Sequence, residues 1–193
     1  TFEAAPEGQG ARIVQSWDLA SAIGERNDYS VCVTAVVHKQ LYYIVDVWRG
    51  RREFPELKRK IVEHAQRWKA HTLLIEDAGP GLQMLQMLRN EAPRGCPRPI
   101  GVKPQGDKEV RMEASSAAIE QGSVFLPKEA PWLSAFLEEI LAFPNARNDD
   151  QVDAFSQLLN WAARRGRRPF LVATRPPEII DMDPAPHFPY DYS

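Results

Sequence analysis

The stretch SVCVTAVVHKQLYYIVDVW, residues 30–48, decides the fold class. Ser30–Val37 and Gln40–Trp48 are rich in Val, Ile and Tyr, and the break at His38-Lys39 between them predicts a hairpin. Upstream, Arg12-Ile13-Val14-Gln15-Ser16-Trp17-Asp18 reads as a further strand that ends in a carboxylate. Three antiparallel strands in a row are therefore expected. The period then changes. Between Glu53 and Ala70, Leu57, Ile61, His64/Ala65 and Trp68 recur at helical spacing among Lys, Arg and Glu. Thr72–Ile75 is a short apolar strand after that helix, which predicts a β-α-β crossover.

Downstream, Gly79-Pro80-Gly81 punctuates and a helix is expected over Leu82–Asn90. Ile100-Gly101-Val102 reads as a short strand, Asp107–Gln121 as a helix, and Val124–Leu126 as a brief extended piece. Helices are expected again over Trp132–Phe143 and Asp149–Arg164. This order fits an α/β fold: a mixed sheet of three antiparallel strands and then β-α-β, with helices on both faces. Residues 1–10 read as a flexible lead-in, 11–165 as the domain, and 166–193 as a proline-rich tail suited to docking.

Composition sets outer bounds. The chain has 193 residues, 44% of them hydrophobic and 26% charged, enough for one sizeable core. No apolar run approaches the roughly 18 residues that span a bilayer, so no membrane association is expected. Cys32 and Cys96 stand far apart outside any CxxC. That argues against structural zinc and leaves Cys32 as a buried small hydrophobe. Net charge is −2, so a nucleic-acid partner would be held by local basic patches and not by bulk charge.

Acidic residues fall at three stations. Asp18 closes the first strand, Glu76-Asp77 closes the strand after the crossover, and Asp149, Asp150 and Asp153 open the last helix. Carboxylates at the ends of neighbouring strands share one sheet edge. Asp150 and Asp153, three apart, share a helix face. Clustered carboxylates repel unless a cation sits among them, and hard divalent ions take oxygen ligands. Two ions roughly 4 Å apart can activate water and stabilise a leaving phosphodiester oxygen. Each station also has a plainer reading: a turn residue at Asp18, a turn start at Glu76-Asp77, and helix capping at Asp149-Asp150. No convincing Ser-His-Asp or Cys-His set is present, and His64 and His187 have no metal-ligand spacing.

Three segments together resemble the nuclease signature of phage large terminases: Ser-Trp-Asp-Leu-Ala (16–20), Leu-Ile-Glu-Asp-Ala-Gly-Pro-Gly (74–81) and Phe-Pro-Asn-Ala-Arg-Asn-Asp-Asp-Gln-Val-Asp-Ala (143–154). Lys108-Glu-Val-Arg111, Gly122-Ser-Val-Phe-Leu-Pro127 and Trp132 also match what that family places between them. The likeness runs from about Ile13 to Ala163. It implies a ribonuclease H-like endonuclease that cuts double-stranded concatemeric viral DNA during packaging in the host cytoplasm. It also implies Mg²⁺ or Mn²⁺ as cofactor, two ions in number; Mn²⁺, whose coordination geometry is less demanding, is expected to be at least as effective.

By motif, the resemblance makes Asp18 the first metal ligand, Glu76 the second and Asp150 the third. Asp149 and Asp153 are further candidates, and Asp77 is a turn or supporting residue. In many relatives a His precedes the acidic pair; here Asn148 stands there, and its role is open. The implied partners are a packaging ATPase domain of the same polypeptide, the portal and the small terminase subunit. The chain holds no GxxxxGK[ST] phosphate loop, so it reads as the isolated nuclease domain.

Lys103, Lys108 and Arg111 form one candidate DNA-binding patch, and Arg51 and Arg52 with Arg49 form another. Arg164, Arg165, Arg167 and Arg168 form a basic cluster that also suits a helix C-terminus. The five Trp residues are expected mostly in the core. Alternatives are another ribonuclease H-like nuclease, such as a junction resolvase or hybrid cleaver, and a non-catalytic module docking on the portal.

Overall fold

The structure, a computed structural model, describes residues 1–20, 29–104, 108–145 and 148–166, with residues 108–111 and 114 described as backbone only. Strands β1 (Arg12–Asp18), β2 (Ser30–His38) and β3 (Leu41–Gly50) pair antiparallel in succession. The β2–β3 turn falls on Lys39 and Gln40, one residue later than the expected break. Their φ values of 50° and 63° suit the right-handed twist of a tight hairpin.

Helix α1 (Phe54–Arg67) carries the chain over to β4 (Thr72–Glu76), which lies parallel to β1. Pro55 starts α1 where its missing N–H is harmless. Leu57, Ile61, His64 and Ala65 then bury one stripe of it. Helix α2 (Gly79–Glu91) leads to β5 (Ile100–Val102), parallel to β4. Helix α3 (Lys108–Glu120) leads to β6 (Val124–Phe125), parallel to β3. Helices α4 (Leu133–Ala142) and α5 (Asp150–Gly166) complete the described chain. The sheet order is β5-β4-β1-β2-β3-β6. Every strand except β2 runs the same way, so β5, β4, β1 and β3 all end along one edge.

The sheet separates two cores. Trp17, Cys32, Leu73 and Ile75 face α1 and α2, packed with Leu57, Ile61, Met84, Leu85 and Leu88. Val14, Val31, Val33 and Leu74 face the other helices, packed with Phe136, Phe155 and Leu158. Trp17 and Trp132 are buried as expected of core residues, whereas Trp48, Trp68 and Trp161 are only partly covered.

A bulge between Thr34 and Ala35 pairs Asp46 and Ile44 with successive β2 residues and leaves Val45 without a partner. It reverses the side-chain alternation of β3. Tyr42 and Ile44 therefore share a face with Val47 and Arg49, although the number of residues between Ile44 and Arg49 would otherwise put them on opposite sides.

Two local readings change. Gly79-Pro80-Gly81 is not punctuation before a helix but its first turn, with Pro80 at a position that needs no N–H. Within the stretch expected as a lead-in, Phe2 bridges Pro127, donates its N–H to Leu126 O at 3.0 Å and packs edge-on against Tyr43. The expected tail from 167 onward, with Arg167, Arg168 and His187, lies outside the described residues, as do Asp107 and residues 146–147.

Gly81 holds α2 against the end of β4. A Cβ at that position would stand 2.0 Å from the backbone oxygen of Glu76, which cannot move without shifting the strand end. Gly81→Ala is expected to cost about 3 kcal/mol, read as a lower urea midpoint at unchanged slope. An unchanged midpoint would show that the turn relaxes freely.

A carboxylate row at one sheet edge

Register places the acidic residues. Trp17 pairs with Ile75, so Asp18 and Glu76, one residue further along parallel neighbours, end their strands side by side. Asp18 is paired with Val31, and Val31 with Arg49. Glu76 is paired with Val102 on the other side. One pleat row thus crosses the sheet as Val102, Glu76, Asp18, Val31, Arg49, on the face that carries α5.

Gln157 pins α5 against this row. Its Nε2 donates to Ser16 Oγ at 2.9 Å and to Trp17 O at 3.3 Å, all buried. Asp153 lies one turn toward the N-terminus from Gln157 and Asp150 two turns, about 6 and 10 Å along the axis. Both positions share the Gln157 face and lie toward the strand ends. Asp153 is buried. Asp149 precedes the helix, and its carbonyl accepts the Asp153 N–H at 2.9 Å, as an N-cap residue does.

The surroundings of Asp150 are unusual. Its Oδ2 lies 3.8 Å from Arg49 Nη2 and receives no hydrogen bond although buried. Burial, and then the charge of Glu139, push its pKa up from 3.8 to about 6. Arg49 and the Tyr29 N–H pull the other way.

Glu139, on α4, is itself buried. Its Oε1 accepts the Gln151 backbone N–H at 2.7 Å, and its Oε2 accepts Gln151 Nε2 at 2.6 Å. An acid from one helix thereby caps the start of another. Its Oε2 also lies 3.6 Å from Arg49 Nη1. Arg49 and Arg51 both stack on Tyr29, at 4.0 and 4.2 Å from the ring centre.

Among the described residues, no group of three or more His, Cys, Asp and Glu side chains could by itself hold a metal ion. Topology brings Asp18 and Glu76 together and sets Asp150 and Asp153 above the same edge. The donors nevertheless suit a hard divalent cation. They are all carboxylate oxygens, and Asp150 Oδ2 is buried without a hydrogen bond. Asp77 serves the sheet, its N–H bonding Val102 O at 2.9 Å.

The basic candidates flank the row. Lys103 is exposed just beyond β5, and Arg51 and Arg52 are exposed just beyond β3, at the same edge. Lys108 and Arg111 belong to α3, but their side chains are outside the described residues. Arg164 and Arg165 sit at the far end of α5, away from this edge, and Arg165 stacks on Trp161 at 4.7 Å.

Sequence reading assigns no site role to Glu139, Gln157 or Tyr29. One signal is present: Glu139 follows Phe136 by three residues in an apolar helix, an acid on a face destined for burial. On the opposite face of the sheet, His64 Nε2 lies 3.1 Å from Asp46 Oδ2 and 3.5 Å from Thr34 Oγ1. Both approach the same ring nitrogen, so the three cannot act as a relay with one partner per nitrogen. They satisfy a buried histidine.

The family described as "Terminase RNaseH-like domain" matches residues 15–161. The large terminase nuclease of thermophilic phage G20c, solved with bound zinc, is 18% identical with a TM-score of 0.57, over 76% of this chain and 79% of that one. The Thermus phage P74-26 large terminase nuclease domain is 14% identical with a TM-score of 0.53, over 76% and 77%. A longer large terminase, from another thermophilic bacteriophage, is 10% identical with a TM-score of 0.61; 84% of this chain is covered, but only 42% of that one. No curated protein sequence gave a match. No helix among the described residues is long and apolar enough to cross a membrane. With most of its length matched by the family and the sheet and helices shared with these structures, the chain belongs to the terminase RNase H-like domain family.

Proposed function

We propose that this domain cuts double-stranded concatemeric viral DNA during genome packaging by divalent-metal-dependent hydrolysis of phosphodiester bonds. The observation that carries the reading is the side-by-side ending of β1 and β4 in Asp18 and Glu76, with α5 pinned above them by Gln157. Asp18, Glu76 and Asp150 are the residues we assign to Mg²⁺ or Mn²⁺, with Asp153 and Asp149 in support. A pair of such ions supplies an activated water and stabilises the leaving oxygen. The G20c nuclease has been solved with zinc, cobalt and magnesium, which supports divalent metal use here.

The flanking cations suit a duplex laid across the edge. Lys103 on one side and Arg51 and Arg52 on the other would hold phosphates without reading bases. The longer large terminase has also been solved with ATP-gamma-S, and it is more than twice the length of its matched part. We therefore assign this domain, in the host cytoplasm, to a polypeptide that also carries the packaging ATPase. The portal and the small terminase subunit are its expected partners.

Supercoiled plasmid incubated with Mn²⁺ or Mg²⁺ should be nicked and linearised by the unaltered chain, with Mn²⁺ at least as effective. Asp18→Ala, Glu76→Ala or excess EDTA should each reduce cleavage to background. Full cleavage in EDTA would sink the metal mechanism. Charge reversal at Lys103 or Arg51 should weaken DNA binding equally across sequences and lower the salt slope by about 1. A change confined to one sequence would argue for base reading instead.

Asp150 makes a pH prediction. Its folded pKa, raised to about 6, means the native chain keeps a proton that the unfolded chain loses above about 4. Its contribution to stability therefore falls as pH rises from about 4 to 6 and stays unfavourable above that. Asp150→Asn should raise the melting temperature at pH 8 by a few degrees, roughly 1 kcal/mol after allowing for solvent screening, and less at pH 4. Mn²⁺ affinity should drop as pH falls below about 6, because a ligand must give up its proton. An affinity flat from pH 8 to 5 would remove Asp150 from the ligand set.

A further inference from the structure

We propose that Arg49 is the positioning residue of this site: its guanidinium, bracketed by Glu139 and Asp150 and seated on Tyr29, fixes the Asp150 carboxylate for a divalent cation. The inference rests on the metal-nuclease reading above. It starts from the bulge in β3, which turns Arg49 onto the Asp18 face. There its two terminal nitrogens serve different helices, Nη1 lying 3.6 Å from Glu139 Oε2 and Nη2 3.8 Å from Asp150 Oδ2. A planar fork can span two carboxylates in this way, and a lysine ammonium cannot hold the same geometry.

Glu139 is a firm anchor because both of its oxygens accept hydrogen bonds from Gln151, the residue after Asp150. Tyr29 closes the frame from below. Its ring carries Arg49 at 4.0 Å. Glu139, held by Gln151, and Asp150 thus face the same guanidinium from two helices.

The lengths of these contacts decide the role. At 3.8 Å the guanidinium offsets the charge of Asp150 without forming a hydrogen bond to it. Oδ2 therefore keeps its lone pairs, buried and without a hydrogen bond, as a cation ligand requires.

The test is Mn²⁺ binding to the whole chain without DNA, by isothermal titration, with melting temperature measured alongside. Arg49→Met should weaken Mn²⁺ binding at least ten-fold, the order seen when groups that orient ligands are removed. Arg49→Lys, which restores the charge but not the fork, should recover part of that loss. It also keeps the test open if the Met variant does not fold. Affinity unchanged or tightened in both folded variants would overturn the proposal, and a lower melting temperature with unmoved affinity would reduce Arg49 to a purely structural role. If the unaltered chain and Asp18→Ala both fail to take up Mn²⁺, the metal reading falls and this inference with it. If the unaltered chain binds, Asp18→Ala does not, and the Arg49 variants bind as well as the unaltered chain, the inference alone falls.

Discussion

Because β1 and β4 are parallel neighbours in register, two carboxylates must stand beside each other at the sheet edge, and much of the local structure contains that charge. Parallel pairing needs a crossover, which α1 provides through its buried stripe. The strand end must then be held in place while the chain turns at once into α2. Gly81 makes this possible because any side chain there would strike the Glu76 carbonyl. The position of the second carboxylate thus depends on a residue that has no side chain.

Charge is managed by a gradient across the edge. Lys103, Arg49, Arg51 and Arg52 lie on both sides of the acidic pair, and the N-terminus of α5 points its partial positive charge toward the same region. Glu139 runs against this pattern, since a buried acid beside Asp150 raises the cost of ionising it. The hydrogen bonds from Gln151 and the Arg49 fork offset that cost, and they also tie the start of α5 to α4. Placement of the helix that carries the third station is therefore coupled to the charge state of the site.

Much of this was legible in the chain, for definable reasons. β2 and β3 announce themselves through runs of β-branched and aromatic residues, α1 through a clean helical period, and Asp18 and Glu76 through their place at strand ends. Other features depend on contacts distant in sequence. The bulge opposite Thr34 and Ala35 carries no local marker, so simple alternation puts Arg49 on the wrong face relative to Ile44. Gly79-Pro80-Gly81 has the composition of a turn, and only packing against β4 makes it helical. Gln157 looks like any polar residue on a long helix until its bonds to Ser16 and Trp17, at the other end of the domain sequence, are seen.

Those bonds also set how firmly the acidic stations are held over the sheet. A helix resting on a sheet through apolar contacts alone can slide by part of a turn at little cost, because such packing is non-directional. Gln157 removes that freedom: one amide donates to a strand hydroxyl and to the next carbonyl, both buried, where an unmade hydrogen bond is expensive. A shift of one residue along α5 would break both bonds and carry Asp150 and Asp153 about 1.5 Å along the axis from their place above Asp18. Axial register of α5 is thus set inside the core at Ser16 and Trp17, on the same strand as the carboxylate it serves.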